Sequence, residues 1–317
     1  MKRRRFLWLS RPRVLGWLTL CVSVVVALVG FPGATTLNAG QRPKTFVKTI
    51  TADASPAQID VNRGVLNPPA QSTYKGFTTR EFVGANGATM TYYLYTPPAA
   101  DMTPGVKLPL TLLLIGTGER ASPTATPELN RARVLGDPYV NMWTSATVQQ
   151  KWPGYILVPQ VAIPGRWVNA PQGAGTVQFS AQPTTELALV KEILDQTIQE
   201  AGTTVDRNRV YITGISMGAY GVWDAIERWP TTFAAAAPIS GAGDPSLAGL
   251  LVNIPIWDFH GSGDKTVPIS GSTDMIQAIE AAGGNPKFTL IPSTSHDIWV
   301  KAYNYPGFLP WLYAQRA

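Results

Sequence analysis

Cysteine is nearly missing from this 317-residue chain: one occurs, Cys21, and none follows it. Past that position the chain can form no disulfide, offer no thiol nucleophile and build no cysteine-ligated metal site. Histidine is almost as scarce, with His260 and His296 alone, so imidazole chemistry has two candidates. No acidic residue precedes Asp53. Six of the 26 Lys and Arg residues (Lys2, Arg3, Arg4, Arg5, Arg11 and Arg13) stand at the very start, and the remaining 20 balance the 20 acidic residues. The net charge of +6 thus belongs to the N-terminus. With no basic stripe interleaved with aromatics, nucleic acid is not an expected partner.

Residues 14–31 form an uncharged apolar run behind that basic start, the order of an export signal. Small residues follow (Gly33, Ala34, Ala39). Two readings of residues 1–39 stand: a signal peptide cleaved near Ala39, or an uncleaved N-terminal membrane anchor. Either places the rest of the chain outside the cytoplasm by the positive-inside rule. Lipidation of Cys21 is disfavoured, since Leu18-Thr19-Leu20 lacks the small residue that usually precedes a lipidated cysteine. Residues 40–75 are polar, with scattered Pro and Gly, and read as a linker or extended segment. Residues 76–317 read as one catalytic domain, with no internal repeat.

In that domain strand and helix patterns alternate. Residues 77–83 and 89–95 predict a hairpin around Gly84-Ala85-Asn86-Gly87. Short apolar runs at 110–115, 155–158, 210–213, 233–239, 256–260 and 288–291 predict buried strands. Residues 186–199, 216–228 and 273–282 predict helices. The expected fold is α/β: a mostly parallel central sheet with helices on both faces.

Gly214-Ile215-Ser216-Met217-Gly218 is the one G-x-S-x-G in the chain. It follows the strand at 210–213 and opens a helix. A sharp strand-to-helix turn lifts a serine hydroxyl above the sheet edge, and flanking glycines are needed because side chains would not fit. A serine needs a base. In this strand–turn–helix setting the partners follow the serine in the order acid, then histidine. His296 lies in the loop after the last strand and is the expected base. His260 is the rival, read otherwise as a buried histidine bonded to nearby loops. Asp264, in the loop after the strand at 256–260, is the expected acid, because catalytic groups gather at the carboxyl edge of such sheets. Asp258 and Asp297 remain rivals. Gly116-Thr117-Gly118-Glu119-Arg120 follows another strand. The amides of Thr117 and Met217 are the expected oxyanion hole. The competing reading is an ordinary glycine turn with Glu119 and Arg120 as a local ion pair.

Several segments together resemble a bacterial esterase family of the α/β-hydrolase superfamily, often labelled "predicted peptidase" and related to feruloyl and polyhydroxybutyrate-type esterases. Leu114-Ile115-Gly116-Thr117-Gly118-Glu119-Arg120 is similar to its L-H-G-x-G-E-R stretch. Pro159-Gln160 with Arg166-Trp167-Val168 resembles its P-Q…W segment, and residues 206–224 its nucleophile region. Residues 259–268 and His296-Asp297-Ile298-Trp299 resemble its acid and base loops. The resemblance implies an α/β-hydrolase fold, Ser216, Asp264 and His296 as a triad, and a pocket wall from Trp167 and Trp299. Ile115 stands where the family usually has His, and Ala121 where it has Gly.

The expected function is hydrolysis of small or polymer-attached carboxylic esters without metal or organic cofactor. No long insertion separates Ser216 from Asp264, so no large lid is expected there, although residues 121–151 could cover the pocket. Trp143 in that stretch and Trp152 just after it read as core. The alternatives are a serine peptidase or acyltransferase of the same fold, or a non-catalytic surface-binding protein.

Overall fold

The computed structural model describes residues 65–66, 73–99, 102–171 and 173–317. The readings made for residues 1–39, including Cys21, and for most of 40–75 lie outside these described residues. Ten strands form one sheet: β1 (Val65–Leu66), β2 (Thr73–Tyr74), β3 (Phe77–Val83), β4 (Thr89–Tyr95), β5 (Leu108–Leu114), β6 (Tyr155–Gln160), β7 (Val205–Ile215), β8 (Ala235–Ile239), β9 (Trp257–Gly261) and β10 (Lys287–Ile291). Their order is β1-β3-β4-β6-β5-β7-β8-β9-β10, with β2 also on β3. The strands from β6 to β10 pair in parallel, and β1 to β4 add an antiparallel flank. Sheet pairing thus reaches upstream of Gly76 through the short strands β1 and β2.

Every residue of β5, β6, β8 and β9 is buried, so the centre of the sheet is covered on both faces. That is why these strands read as continuous apolar runs rather than alternating ones. Helix α4 (Thr185–Ala201) turns Leu187, Val190, Leu194 and Ile198 inward at helical spacing and is capped by Thr184, whose side chain accepts from the Leu187 amide. Helix α5 (Met217–Arg228) packs on β7 and β8, and α6 (Ser270–Ala281) on β9.

None of residues 121–151 lines the pocket beside Ser216. They form α1 (Pro127–Leu135), α2 (Pro138–Asn141) and α3 (Ala146–Lys151). Trp143, fully buried between α2 and α3, meets Tyr303 and Phe308 edge-to-face at 5.2 and 6.3 Å. Those partners belong to α7 (Trp299–Tyr303) and α8 (Phe308–Ala314). Trp152 stacks on Tyr313 at 5.7 Å. Each fully buried aromatic here, Trp143, Tyr303 and Phe308, contributes about 1.5–3 kcal/mol by leaving water. Together they anchor the C-terminal helices that follow the His296 loop.

Register fixes the working edge. Gly214 of β7 lies beside Leu114 of β5 and Pro238 of β8, and Gly261 of β9 beside Ile291 of β10. The turns after β5, β7, β9 and β10 therefore emerge on one rim, at the carboxyl ends of parallel strands.

Candidate active site

Ser216 occupies the turn between β7 and α5 with φ 50° and ψ −120°, a left-handed conformation that an L-residue rarely adopts. Its amide donates to the Ile239 carbonyl at 2.9 Å. The flanking glycines are sterically required. A Cβ on Gly218 would lie 2.0 Å from the Leu114 carbonyl oxygen, and one on Gly214 would lie 2.7 Å from the Gly218 backbone.

The Ser216 hydroxyl is 2.8 Å from Nε2 of His296, and Nδ1 of that ring is 2.5 Å from Oδ2 of Asp264. The other Asp264 oxygen accepts from the amides of Thr266 at 2.8 Å and Val267 at 3.0 Å. Burial pushes the Asp264 carboxyl up, but the His296 bond and the two amides outweigh it, so its pKa is held below the usual range. The ionised carboxylate favours a proton on Nδ1 of His296 and leaves Nε2 free to accept from the serine.

The rivals stand elsewhere. His260 is fully buried on β9, with Nδ1 2.7 Å from the Ser272 hydroxyl and Nε2 3.1 Å from the Val267 carbonyl. Burial lowers its pKa. It also lies behind the acid, with Nε2 3.5 Å from Asp264 Oδ2. Asp258 is fully buried in the same strand, and burial pushes its carboxyl up to about 8. Asp297 is exposed. Among the described residues, Asp264 is the carboxylate within ion-pair distance of His296.

A pocket of about 370 Å³, counting space open to solvent, adjoins Ser216. Thr117 and Met217 line it, and neither backbone amide has an acceptor within the described protein. Two free N–H groups beside a serine hydroxyl can receive the charge of a tetrahedral intermediate. The turn that carries Thr117 is held at three carbonyls. Trp167 Nε1 donates to Ile115 at 2.8 Å, Arg120 Nε to Thr117 at 3.2 Å, and Gln160 Nε2 to Glu119 at 2.7 Å. Arg120 also reaches the Gly165 and Pro164 carbonyls at 3.3 and 3.4 Å. The Glu119–Arg120 ion pair is not formed. Glu119 turns inward, where burial raises its pKa.

The placement of Trp167 and Trp299 on the pocket wall is corrected by the structure. Trp167 is fully buried and absent from the lining. It fits because Gly221 of α5 has no side chain: a Cβ there would sit 2.7 Å from the Trp167 Cβ. Trp299 is 9% exposed and packs edge-on against the His296 ring at 4.9 Å, backing the imidazole rather than the pocket. The wall is made instead by the irregular stretch between β6 and α4, which supplies Arg166, Val168, Ala170, Pro171 and Gly173, together with Tyr220 and Val267. This stretch is pinned from α5 and the loop after β8. The Tyr220 hydroxyl donates to the Ala174 carbonyl at 2.5 Å, the Val177 amide to the Gly243 carbonyl at 3.0 Å, and the Phe179 amide to Asp244 at 2.8 Å. The residues resembling the P-Q…W segment gave a signal for Gln160 and Trp167. Nothing local marked the rest of the wall. Among the described residues no group of three or more His, Cys, Asp or Glu side chains could hold a metal ion.

A family model described as phospholipase/carboxylesterase matches residues 177–304. The bifunctional acetylxylan esterase/xylanase of Neocallimastix patriciarum is 32% identical over 95 residues, which are 30% of this chain and 14% of that protein. A solved thermostable esterase is 30% identical with a TM-score of 0.65, covering 76% of this chain and 64% of the esterase. This chain therefore spans a small part of the first relative and just under two thirds of the second. The feruloyl esterase module of Clostridium thermocellum, solved with sinapinate, has a TM-score of 0.54 at 16% identity, over 80% of this chain and 94% of the module, a likeness of fold alone.

Proposed function

On the premise that this chain belongs to the α/β-hydrolase superfamily, we propose that it hydrolyses carboxylic esters through an acyl-enzyme on Ser216. The carboxylesterase family model and the esterases among its relatives support the ester as substrate. The observation that carries the reading is the continuous file Ser216 Oγ–His296 Nε2–His296 Nδ1–Asp264 Oδ2, at 2.8 and 2.5 Å, beside two unpaired amides.

Ser216 attacks the ester carbonyl while its proton passes to His296. Asp264 keeps the ring in the accepting tautomer and stabilises the imidazolium. The carbonyl oxygen takes the charge of the tetrahedral intermediate between the Thr117 and Met217 amides, each such donor contributing about 10²–10³ in rate. His296 returns the proton to the leaving alcohol. Water then attacks the acyl-serine by the same route, restoring the hydroxyl and releasing the acid.

The test is turnover of p-nitrophenyl esters of graded acyl length, with an anilide as the amide control. Serine-dependent ester cleavage with little anilide cleavage is expected, and Ser216→Ala should lower kcat by ~10⁴–10⁶. Near-normal turnover in that variant would end the proposal. The basic start and the apolar run at residues 14–31 support action outside the cytoplasm. Fractionation of cells expressing the full chain checks this, and a wholly cytoplasmic protein would count against it.

A further inference from the structure

We infer that the acyl group taken by this site ends in a carboxylate, and that Arg166 is the residue that selects it. The inference rests on the esterase reading and adds the class of acid.

The orientation of the ester comes first. The leaving alcohol must lie within reach of His296 Nε2, which returns its proton. His296 does not line the pocket, whereas Ser216 and both unpaired amides do. The pocket therefore extends from the acyl side of the ester carbonyl.

Arg166 is the one charged residue among the described lining, and Val168, Ala170, Pro171 and Val267 around it are apolar. One of its N–H groups, on Nη1, donates to the Ala170 carbonyl at 3.0 Å. Among the described residues no carboxylate lies within ion-pair distance of it. Glu186 shares with Arg166 the groove on the far side of this wall, but not the pocket. The neighbouring cation deepens the positive potential. Burial and the charge of Arg166 both lower the pKa of Arg120, whose Nε donates to the Thr117 carbonyl and whose Nη1 donates to the Pro164 and Gly165 carbonyls. Arg120 is absent from the pocket lining and so adds charge from behind, whereas Arg166 lines the pocket with donors left over.

Arg166 is also held in place. The Gly165 amide donates to the Ala162 carbonyl at 2.7 Å, and the Thr184 hydroxyl to the Trp167 carbonyl at 2.8 Å. A fixed guanidinium with open N–H groups matches a carboxylate by paired, charge-assisted hydrogen bonds. A neutral acyl chain would cover those donors and leave them unpaired, which is costly. The substrate is then a half-ester of a dicarboxylic acid. Hydrolysis consumes one water, breaks the acyl C–O bond and yields the alcohol, the free dicarboxylate and a proton.

The experiment follows hydrolysis of three matched pairs by proton release, with the full chain: monomethyl succinate against methyl butyrate, monomethyl glutarate against methyl valerate, and monomethyl adipate against methyl hexanoate. Ser216→Ala is the blank. At least one pair should favour the charged ester by about tenfold or more in kcat/KM. That ratio should fall about tenfold in Arg166→Gln, with Arg166→Lys in between. Because the ratio compares two substrates on one protein, partial loss of folded variant cancels. Should Arg166→Gln not fold, the unmodified protein decides: raising salt from about 0.05 to 0.5 M should shrink the ratio, and glutarate should inhibit more strongly than valerate. A ratio under about tenfold in every pair, one that Arg166→Gln leaves standing, or in the absence of that variant one indifferent to salt, overturns the inference while the esterase reading stands. No serine-dependent hydrolysis of any ester overturns both, a distinguishable result.

Discussion

The chain's two histidines both approach the same carboxylate oxygen. His296 sits 2.5 Å from Asp264 Oδ2, on a loop beyond β10, with its side chain 18% exposed and its far nitrogen on the serine. His260 sits 3.5 Å from the same oxygen, within β9, with no exposure and its far nitrogen on Ser272. One ring stands at the rim, where the proposed mechanism gives it a proton to move, and the other lies in the interior, where burial lowers its pKa. Proximity to a carboxylate does not by itself make a base. What separates them is whether the second nitrogen meets a hydroxyl that lines the pocket or one buried in the core.

The comparison can be broken outright at His296. In the proposed mechanism His296→Ala removes the proton acceptor and should lower kcat by ~10⁴–10⁶, with thermal stability little changed, as measured by kinetics and calorimetry on one preparation. Loss of activity in step with loss of fold would erase the distinction. His260→Gln sharpens it from the other side. That variant should lose about 1–3 kcal/mol of stability by disturbing the Ser272 and Val267 hydrogen bonds, and no more than about tenfold in kcat. A catalytic loss as large as that of His296→Ala would assign the base role wrongly.

The smallest effect is a slope. Burial lowers the folded-state pKa of His260, so below about pH 6.5 the unfolded chain binds a proton that the folded chain refuses. The neutral ring's share of stability is complete above that pH. It is lost as pH falls toward the folded pKa. His260→Gln should flatten this part of the melting-temperature profile between about pH 5 and 7. Equal slopes in the two proteins would mean that His260 does not titrate on unfolding.

Much of the frame was legible from the residues. The hairpin limits coincide with β3 and β4, because a glycine-rich turn between two β-prone runs leaves little freedom. The parallel strands were marked by continuous apolar runs, although β7 extends to Val205–Ile215 through the polar Asp206-Arg207-Asn208-Arg209, which local composition disguises. Ser216, Asp264 and His296 were singled out by motif and chain order, and the fold brings them into hydrogen-bond contact. The short helices α1 to α3 are not legible because none is long enough to show a period, although Pro127 and Pro138 stand at the starts of α1 and α2. The pocket wall was illegible for a different reason. Its stretch has no regular structure, and its shape is imposed from a distance, by Tyr220, Asp244 and the Arg228 guanidinium on the Ser180 carbonyl. Trp167 shows the same limit. Whether a tryptophan lines a pocket or props a turn from behind depends on a missing side chain at Gly221.

The left-handed backbone of Ser216 has an evolutionary consequence. A serine held at φ 50° carries roughly 1–2 kcal/mol of strain that glycine would not. The residue proposed as nucleophile is thus one at which the backbone itself would favour glycine. A lineage freed from selection for turnover should drift to glycine at this position and melt at a higher temperature for having done so.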